Sequence, residues 1–285
     1  MFLYRPDPSS AKGPFNQPLM LIKGGYNLAY ECPDYTPMVL SVHIRPEETP
    51  NLVEPETFTL FPETGYEYYI DSYGNKCTRL IAPPGRFSIW NRFVKADDGL
   101  PEQLPINAYQ HGVPELPKET LVYLLGSRYC DTQKLSALAW SLFGGYWKGW
   151  SLVKAILDYT HDRIRFSYPN ARDERTAFEA HEERTGVCRD FAHLAIALCR
   201  CMNIPARYCT GYLGDIGVPA DPAPMDFSAW FEVFMGGRWW ALDARHNQPR
   251  IGRIVVARGR DAADVAISTA FGSATLAEFK VITEL

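Results

Sequence analysis

The chain has 285 residues, 46% hydrophobic and 22% charged, with a net charge of −4 and a pI near 5.9. That is the composition of a folded chain long enough for two domains, and it offers no basic field to draw nucleic acid or anionic lipid. No run approaches the ~20 apolar residues of a membrane span, and the opening MFLYRPDPSSAKGPFNQ has no basic stretch followed by an apolar one, so no secretory signal is expected.

The first hundred residues read as β. Runs at 26–30 and 38–44 (MVLSVHI), with Pro33-Asp34 and Pro46 as breakers, are followed by a short one at 58–61. TGYEYYIDSYGNKCTRLIAPPG then predicts strand, turn and strand over 66–71, 73–75 and 76–81, and FSIWNRFV adds a strand at 87–94. Short strands with polar turns suggest a small antiparallel sandwich or barrel. The Pro-rich, aperiodic stretch 101–118 marks a linker, so the expected organisation is a β-rich domain over 1–110 and a second domain over 111–285.

Helices are predicted at 119–125, 132–142 and 149–162, the last with Leu152, Val153, Ile156, Leu157 and Tyr159 on one face. A strand-like piece follows at 164–168. Next comes RTGVCRDFAHLAIALCRCMNIPARYCTGYL, in which a Thr185-Gly186 turn delivers Cys188 to the first turn of an apolar-periodic helix. That helix stops at Asn203 and Pro205 ahead of a strand at 206–212. Strands at 229–235 and 238–243, joined by Gly236-Gly237, form a hairpin, and 251–257 is a further strand. Helices first and an antiparallel sheet after make the second half α+β.

A thiol at a helix N-terminus meets unpaired N–H groups and the positive end of the macrodipole, which favours thiolate, the nucleophile of cysteine hydrolases and acyl transferases. Cys188 is therefore the candidate nucleophile, with a lowered thiol pKa and the highest reactivity of the seven cysteines. The remaining six, Cys32, Cys77, Cys130, Cys199, Cys201 and Cys209, read as small buried hydrophobes. None forms a CxxC pair, and Cys199 and Cys201 lie about 200° apart around their helix. A reducing, cytoplasmic setting is expected, with no metal and no cofactor. Arg245, Arg250, Arg253, Arg258 and Arg260, interleaved with Asp243, Asp261 and Asp264, read as an ion-pair network.

The combination GVCRDFAHL…IPARYCTGYL, then AWFEVFMGGRWWALD some forty residues on, resembles the bacterial transglutaminase-like superfamily, whose members are also described as cysteine proteases. The stretch ILDYTHDRIRFSYPNARDERTAFEAHEERTGVC is similar to that family's approach to its nucleophile, and the dense resemblance covers about 150–260. It implies a papain-like α+β core of helices and antiparallel sheet, preceded here by a small all-β domain. It further implies Cys188 as nucleophile and Asp243 as orienting carboxylate. The family's histidine sits immediately before the Ala-Trp pair, and here that position holds Ser228.

Serine cannot take the thiol proton near neutral pH as imidazole does. Among the histidines, His193 points about 140° away from Cys188 on the same helix. His161 and His181 precede the core helix, and His43 and His111 fall outside the core. His246, three residues past Asp243, is the possible base, because a turn at Ala244-Arg245 folds it back. Asp226, two residues before Ser228, is expected on the same strand face, and Phe227 and Trp230 are possible cleft residues.

Two functions follow. The first is a cysteine hydrolase or acyl transferase acting on peptide or amide bonds through a Cys188 thioester, with the usual histidine replaced by Ser228. The second is a catalytically impaired module that binds peptide or protein on the same fold. The expected partner is a peptide or protein substrate, with no nucleic acid and no membrane.

Overall fold

A computed structural model describes residues 19–221 and 225–285. The opening segment on which the absence of a secretory signal was argued lies outside the described residues. The chain starts with seven strands: β1 Met20–Cys32, β2 Thr36–Leu40, β3 Leu52–Glu54, β4 Thr59–Phe61, β5 Tyr66–Ile70, β6 Lys76–Ala82 and β7 Gly85–Asp97. The longest pairing is β1 with β7, antiparallel from Met20 opposite Asp97 to Cys32 opposite Gly85. β2 ends at Leu40, short of the predicted 38–44. Residues 40–44 are buried without alternation, including His43, whose Nε2 lies 2.6 Å from Thr78 Oγ1.

The stretch 101–118 holds no strand or α-helix, and the predicted helix at 119–125 is a 3-10 turn over Lys118–Leu124. Then come α1 Thr132–Phe143, α2 Trp150–Arg163, β8 Arg165–Phe166, α3 Ala177–Glu183, β9 Thr185–Gly186 and α4 Cys188–Cys201. Strands β10 Ala206–Tyr212, β11 Ser228–Met235, β12 Arg238–Leu242 and β13 Ile254–Gly259 make an antiparallel sheet in the order β12-β11-β10-β13. The glycines joining β11 to β12 both have positive φ, 57° at Gly236 and 82° at Gly237, as a two-residue hairpin requires. The protein is thus α+β, with a core of helices on an antiparallel sheet and an all-β N-terminal region.

Two last strands escape the sequence reading: β14 Ser268–Ala270 and β15 Thr275–Glu284. They leave the core and pair with β2 and β1, completing the sheets β14-β2-β6-β5 and β15-β1-β7-β3, with β4 also on β7. A division at residue 110 leaves this return out. Non-local pairing has no local signature, and TLAEFKVITE is largely exposed along its length.

Helix α4 organises the core. From Asp190 to Arg200 every residue is buried, so the helix is apolar nearly all round, which suits an element enclosed on every side. It packs against α1, α2, α3 and the β10–β11 face. Its charged residues are matched in place. Arg200 donates to the carbonyls of Ala206, Leu125 and Arg260. Asn203 then ends the helical path with φ of 60°.

Candidate active site

The turn ahead of Cys188 is made by Arg184, not by Thr185-Gly186. Arg184 caps α3 in the left-handed region with φ of 56°. Thr185-Gly186 is instead the short strand β9, parallel to β8. Gly186 is required there because a Cβ would meet the Asp190 side chain at 2.6 Å. Asp190 accepts the Val187 N–H at 2.8 Å, closing the helix start, and also pairs with Arg175 Nη1 at 3.1 Å. Arg175 is buried and bonds the Asn170 carbonyl and Glu183 as well. The first residue of α4 is thus held by a buried ion pair, and Cys188 occupies it.

The expectation of a lowered thiol pKa is corrected. Burial pushes the Cys188 thiol up to about 11, the Asp226 charge adds to this, and Arg245 with the Ala229 N–H opposes it. Desolvation of the sulfur outweighs the helix terminus here, although Cys188 as a residue is only half-buried. At neutral pH the resting thiol is neutral. Iodoacetamide labelling of Cys188, followed by peptide mass mapping, should rise about tenfold per pH unit between pH 7 and 10. A plateau between pH 6 and 8 would show instead a preformed thiolate–imidazolium pair. Cys201 also departs from its expectation: it is half-buried, its thiol donating to the Thr132 carbonyl at 3.4 Å.

Strand β12 ends at Leu242, and Asp243 opens a tight turn. One of its oxygens accepts the N–H groups of Arg245 at 2.9 Å and His246 at 3.0 Å. The other lies 2.9 Å from His246 Nδ1 and 3.3 Å from Arg253 Nη2. The Asp243 carboxyl is buried. Burial opposes its ionisation, but the His246 hydrogen bond and the Arg253 charge outweigh it and hold the group far below the usual carboxylate range. A carboxylate only accepts, so His246 Nδ1 carries a ring proton, and in the neutral ring the free lone pair is on Nε2. The turn is held from outside too: Asn247 donates to Asp158 at 2.7 Å, and His161 Nδ1 lies 3.1 Å from the Ala244 carbonyl, both partners on α2. Arg253 lies over the Trp230 ring at 4.5 Å and bonds Glu102 at 2.5 Å.

Two cavities flank Cys188. The smaller, about 80 Å³, is lined by Cys188, Asp226, Phe227, Ser228, Arg245 and His246 among others. The larger is a groove of about 590 Å³ that Cys188 also lines, bordered by Tyr129, Tyr208, Asp226, Phe227 and Phe279. Cys188, Ser228 and His246 therefore share one pocket, with Asp243 immediately behind His246. Asp243 serves His246 and not the residue at 228, whose carbonyl accepts the Thr210 hydroxyl at 3.2 Å.

Asp226 precedes β11 rather than sharing a strand face with Ser228, yet it borders both cavities. Phe227 does line the cleft while packing against Tyr212 and Tyr26. Trp230 does not. It is buried with Cys209 and Val255 beneath the Arg253 guanidinium, on the sheet face opposite Ala229, which borders the larger groove. His193 is buried, stacked on Tyr129, and accepts the Ala262 N–H at 3.1 Å.

The ion-pair network read from the sequence places Arg253 on Asp243 as expected, but Glu102, Asp158 and Asn247 were missed. The one local signal was Asp243 itself, since an aspartate after a strand commonly accepts N–H groups two and three residues on. Among the described residues no group of three or more His, Cys, Asp or Glu is placed to hold a metal ion, and no helix is long and apolar enough to cross a membrane.

A cysteine thus heads a buried helix packed on an antiparallel sheet, and a carboxylate-bound histidine lines the same pocket. A sequence profile of the transglutaminase-like superfamily matches residues 141–244. The crystal structure of a putative cysteine protease from Cytophaga hutchinsonii superposes with a TM-score of 0.79 at 31% identity, covering 94% of this chain and 91% of that one. This chain belongs to the transglutaminase-like superfamily. An uncharacterised protein of Mycobacterium leprae is 35% identical over 94 residues, and one of Mycobacterium tuberculosis is 42% identical over 91. These matches span only 33% and 29% of those proteins' lengths and 32% and 29% of this chain.

Proposed function

We propose that this chain is a thiol-dependent acyl-transfer enzyme that opens peptide or amide bonds through a thioester on Cys188, with His246 as its base in place of a histidine at position 228. The observation that carries this reading is the 2.9 Å contact between His246 Nδ1 and the buried Asp243 carboxylate, at the edge of a pocket that Cys188 also lines. The Cytophaga hutchinsonii relative supports peptide or protein as the substrate class.

In this mechanism Cys188 Sγ attacks the carbonyl carbon while its proton passes to His246 Nε2. The carbonyl π electrons move to oxygen, where N–H groups at the start of α4 can meet the developing charge. Collapse of the adduct breaks the C–N bond, and the leaving amine takes the proton from His246. Water or a second amine then attacks the thioester, giving up its proton to His246, and the thiolate leaves and is reprotonated. Asp243 keeps the imidazole in the required tautomer and stabilises the imidazolium without itself taking a proton. Proton transfer during attack suits a thiol that rests neutral. Hydrolysis and amine transfer share the thioester and differ in which nucleophile reaches it.

The test is a panel of peptide and glutamine-type amide substrates with intact-mass detection of the acyl adduct. Wild type should release amine and carry one acyl group on Cys188 during turnover, and Cys188→Ala should do neither. Equal turnover in Cys188→Ala would overturn the proposal. The second reading, a peptide- or protein-binding module, draws on the neutral resting thiol; saturable peptide binding with no adduct and no released amine would favour it.

A further inference from the structure

Acyl transfer leaves Asp226 without a task, although it borders both cavities beside Cys188. Burial pushes its carboxyl above the usual carboxylate range, opposed only by the backbone N–H of Phe227. It makes no ion pair with any described residue. The neighbouring charges are otherwise engaged. Arg250 pairs with Asp215 at 3.6 Å and donates to the Gly214 carbonyl at 2.9 Å. Arg189 donates to the Arg172 carbonyl and faces Asp173 at 3.9 Å. The Arg245 guanidinium lies over the Phe166 ring, 3.7 Å from its centroid, and Arg128 lies against Tyr129 at 5.3 Å. Asp221 also borders the smaller pocket and gives its N–H to Asp215 at 2.8 Å. A half-buried carboxylate without a cation, beside a sulfur that must itself become negative, costs free energy on both counts. A positive charge brought by a third party relieves both.

We propose that Asp226 is the specificity-determining residue of this site, receiving a cationic side chain of the substrate, an ammonium or guanidinium group, while the apolar part of the acyl portion lies in the groove. The inference rests on the acyl-transfer reading of Cys188. The groove, at about 590 Å³, falls in the range of ligand-binding clefts. Its walls combine Tyr129, Tyr208 and Phe279 with the small Ala262 and Ala266, which suits an apolar chain. The pocket on the His246 side, at about 80 Å³, has room for a few water molecules and matches the leaving amine or the incoming nucleophile. A cation on Asp226 cancels the repulsion that this carboxylate exerts on the Cys188 sulfur, so recognition of a basic substrate and ionisation of the thiol reinforce one another.

The experiment measures modification of Cys188 in the full chain by three methanethiosulfonates: aminoethyl (cationic), methyl (neutral) and sulfonatoethyl (anionic), with the label located by peptide mass mapping. Each rate is divided by the methyl reagent's rate on the same protein, which cancels any change in the thiol's own nucleophilicity. Relative to free cysteine, wild type should prefer the cationic reagent by about tenfold and disfavour the anionic one. Asp226→Asn should bring both ratios to within about twofold of free cysteine, and Asp226→Glu should retain the preference. An unchanged cation ratio in Asp226→Asn overturns the proposal. So does an equal loss in Asp215→Asn, which would point to a diffuse field. In parallel, peptides differing only as lysine or norleucine should show a kcat/KM preference for lysine that disappears in Asp226→Asn. Cys188-dependent turnover without that preference overturns the cation site and leaves acyl transfer standing. Reagent preference with no turnover of any amide does the reverse.

Discussion

Replacing His246 with alanine is expected to lower kcat/KM on a cleaved amide by about a thousandfold, within the range a general base contributes. The loss should fall on kcat, because imidazole acts on the attacking thiol and the leaving amine rather than in binding. Ser228→Ala should change kcat/KM by less than about threefold, since the Ser228 side chain makes none of the hydrogen bonds that hold the Asp243–His246 turn. Ser228→His is not expected to raise activity, because the Asp243 oxygens are already taken by His246, Arg245 and Arg253. Circular dichroism of His246→Ala should match wild type, with thermal melting lowered only modestly, because the buried Asp243 carboxylate loses one hydrogen bond but keeps Arg253 and the Arg245 N–H. A kcat that survives His246→Ala but vanishes in Cys188→Ala would defeat His246 as the base. A kcat that rises strongly in Ser228→His would restore position 228 to that role.

The second large effect is expected at Asp243. Asp243→Asn keeps size and shape, but an amide can donate to Nδ1 and so shift the ring proton to Nε2, the atom that must accept from the thiol. The expected loss in kcat is about 10³- to 10⁴-fold, by the same tautomer argument that governs Ser–His–Asp sites. Stability changes as well, because the enclosed Arg253 side chain loses an anionic partner while keeping Glu102. The sign follows from a carboxyl held below its ordinary range when folded. Its contribution is fully present above the unfolded carboxyl pKa of about 3.9 and is lost as pH falls toward the lower folded value. The melting difference between wild type and Asp243→Asn should therefore be largest near pH 7 and shrink below about pH 4. A difference that grows toward acid would mean that Asp243 is protonated in the folded protein. A kcat left within tenfold of wild type would remove the carboxylate from the mechanism.

Both predictions rest on a contact between residues three apart, and that part of the site was legible in the chain. Asp243 and His246 meet because an aspartate at a strand end folds the next residues back on its own oxygens, a matter of local hydrogen-bonding capacity. Position 228 could be read as lacking a base from residue chemistry alone. The family's spacing nonetheless directed attention to Ser228 as the group facing Asp243, and the folded turn gives that carboxylate to His246 instead. Trp230 illustrates the opposite limit. Its alternation along β11 was readable, but which face looked into the cleft depended on where α4 packs.

Periodicity, helix starts and hairpin glycines are carried by neighbouring residues, so the chain by itself determined the α2 and α4 helices, the Gly236-Gly237 hairpin, the cysteine at the head of α4 and the aspartate–histidine turn. Tertiary structure alone decided the return of β14 and β15 to the first sheets, the reach of Glu102 through Arg253 to Asp243, and the place of Asp226 between two cavities. It also reversed the expected ionisation of Cys188. A helix terminus acts over one turn and is visible in sequence, whereas desolvation sums over every atom that folding brings around the sulfur.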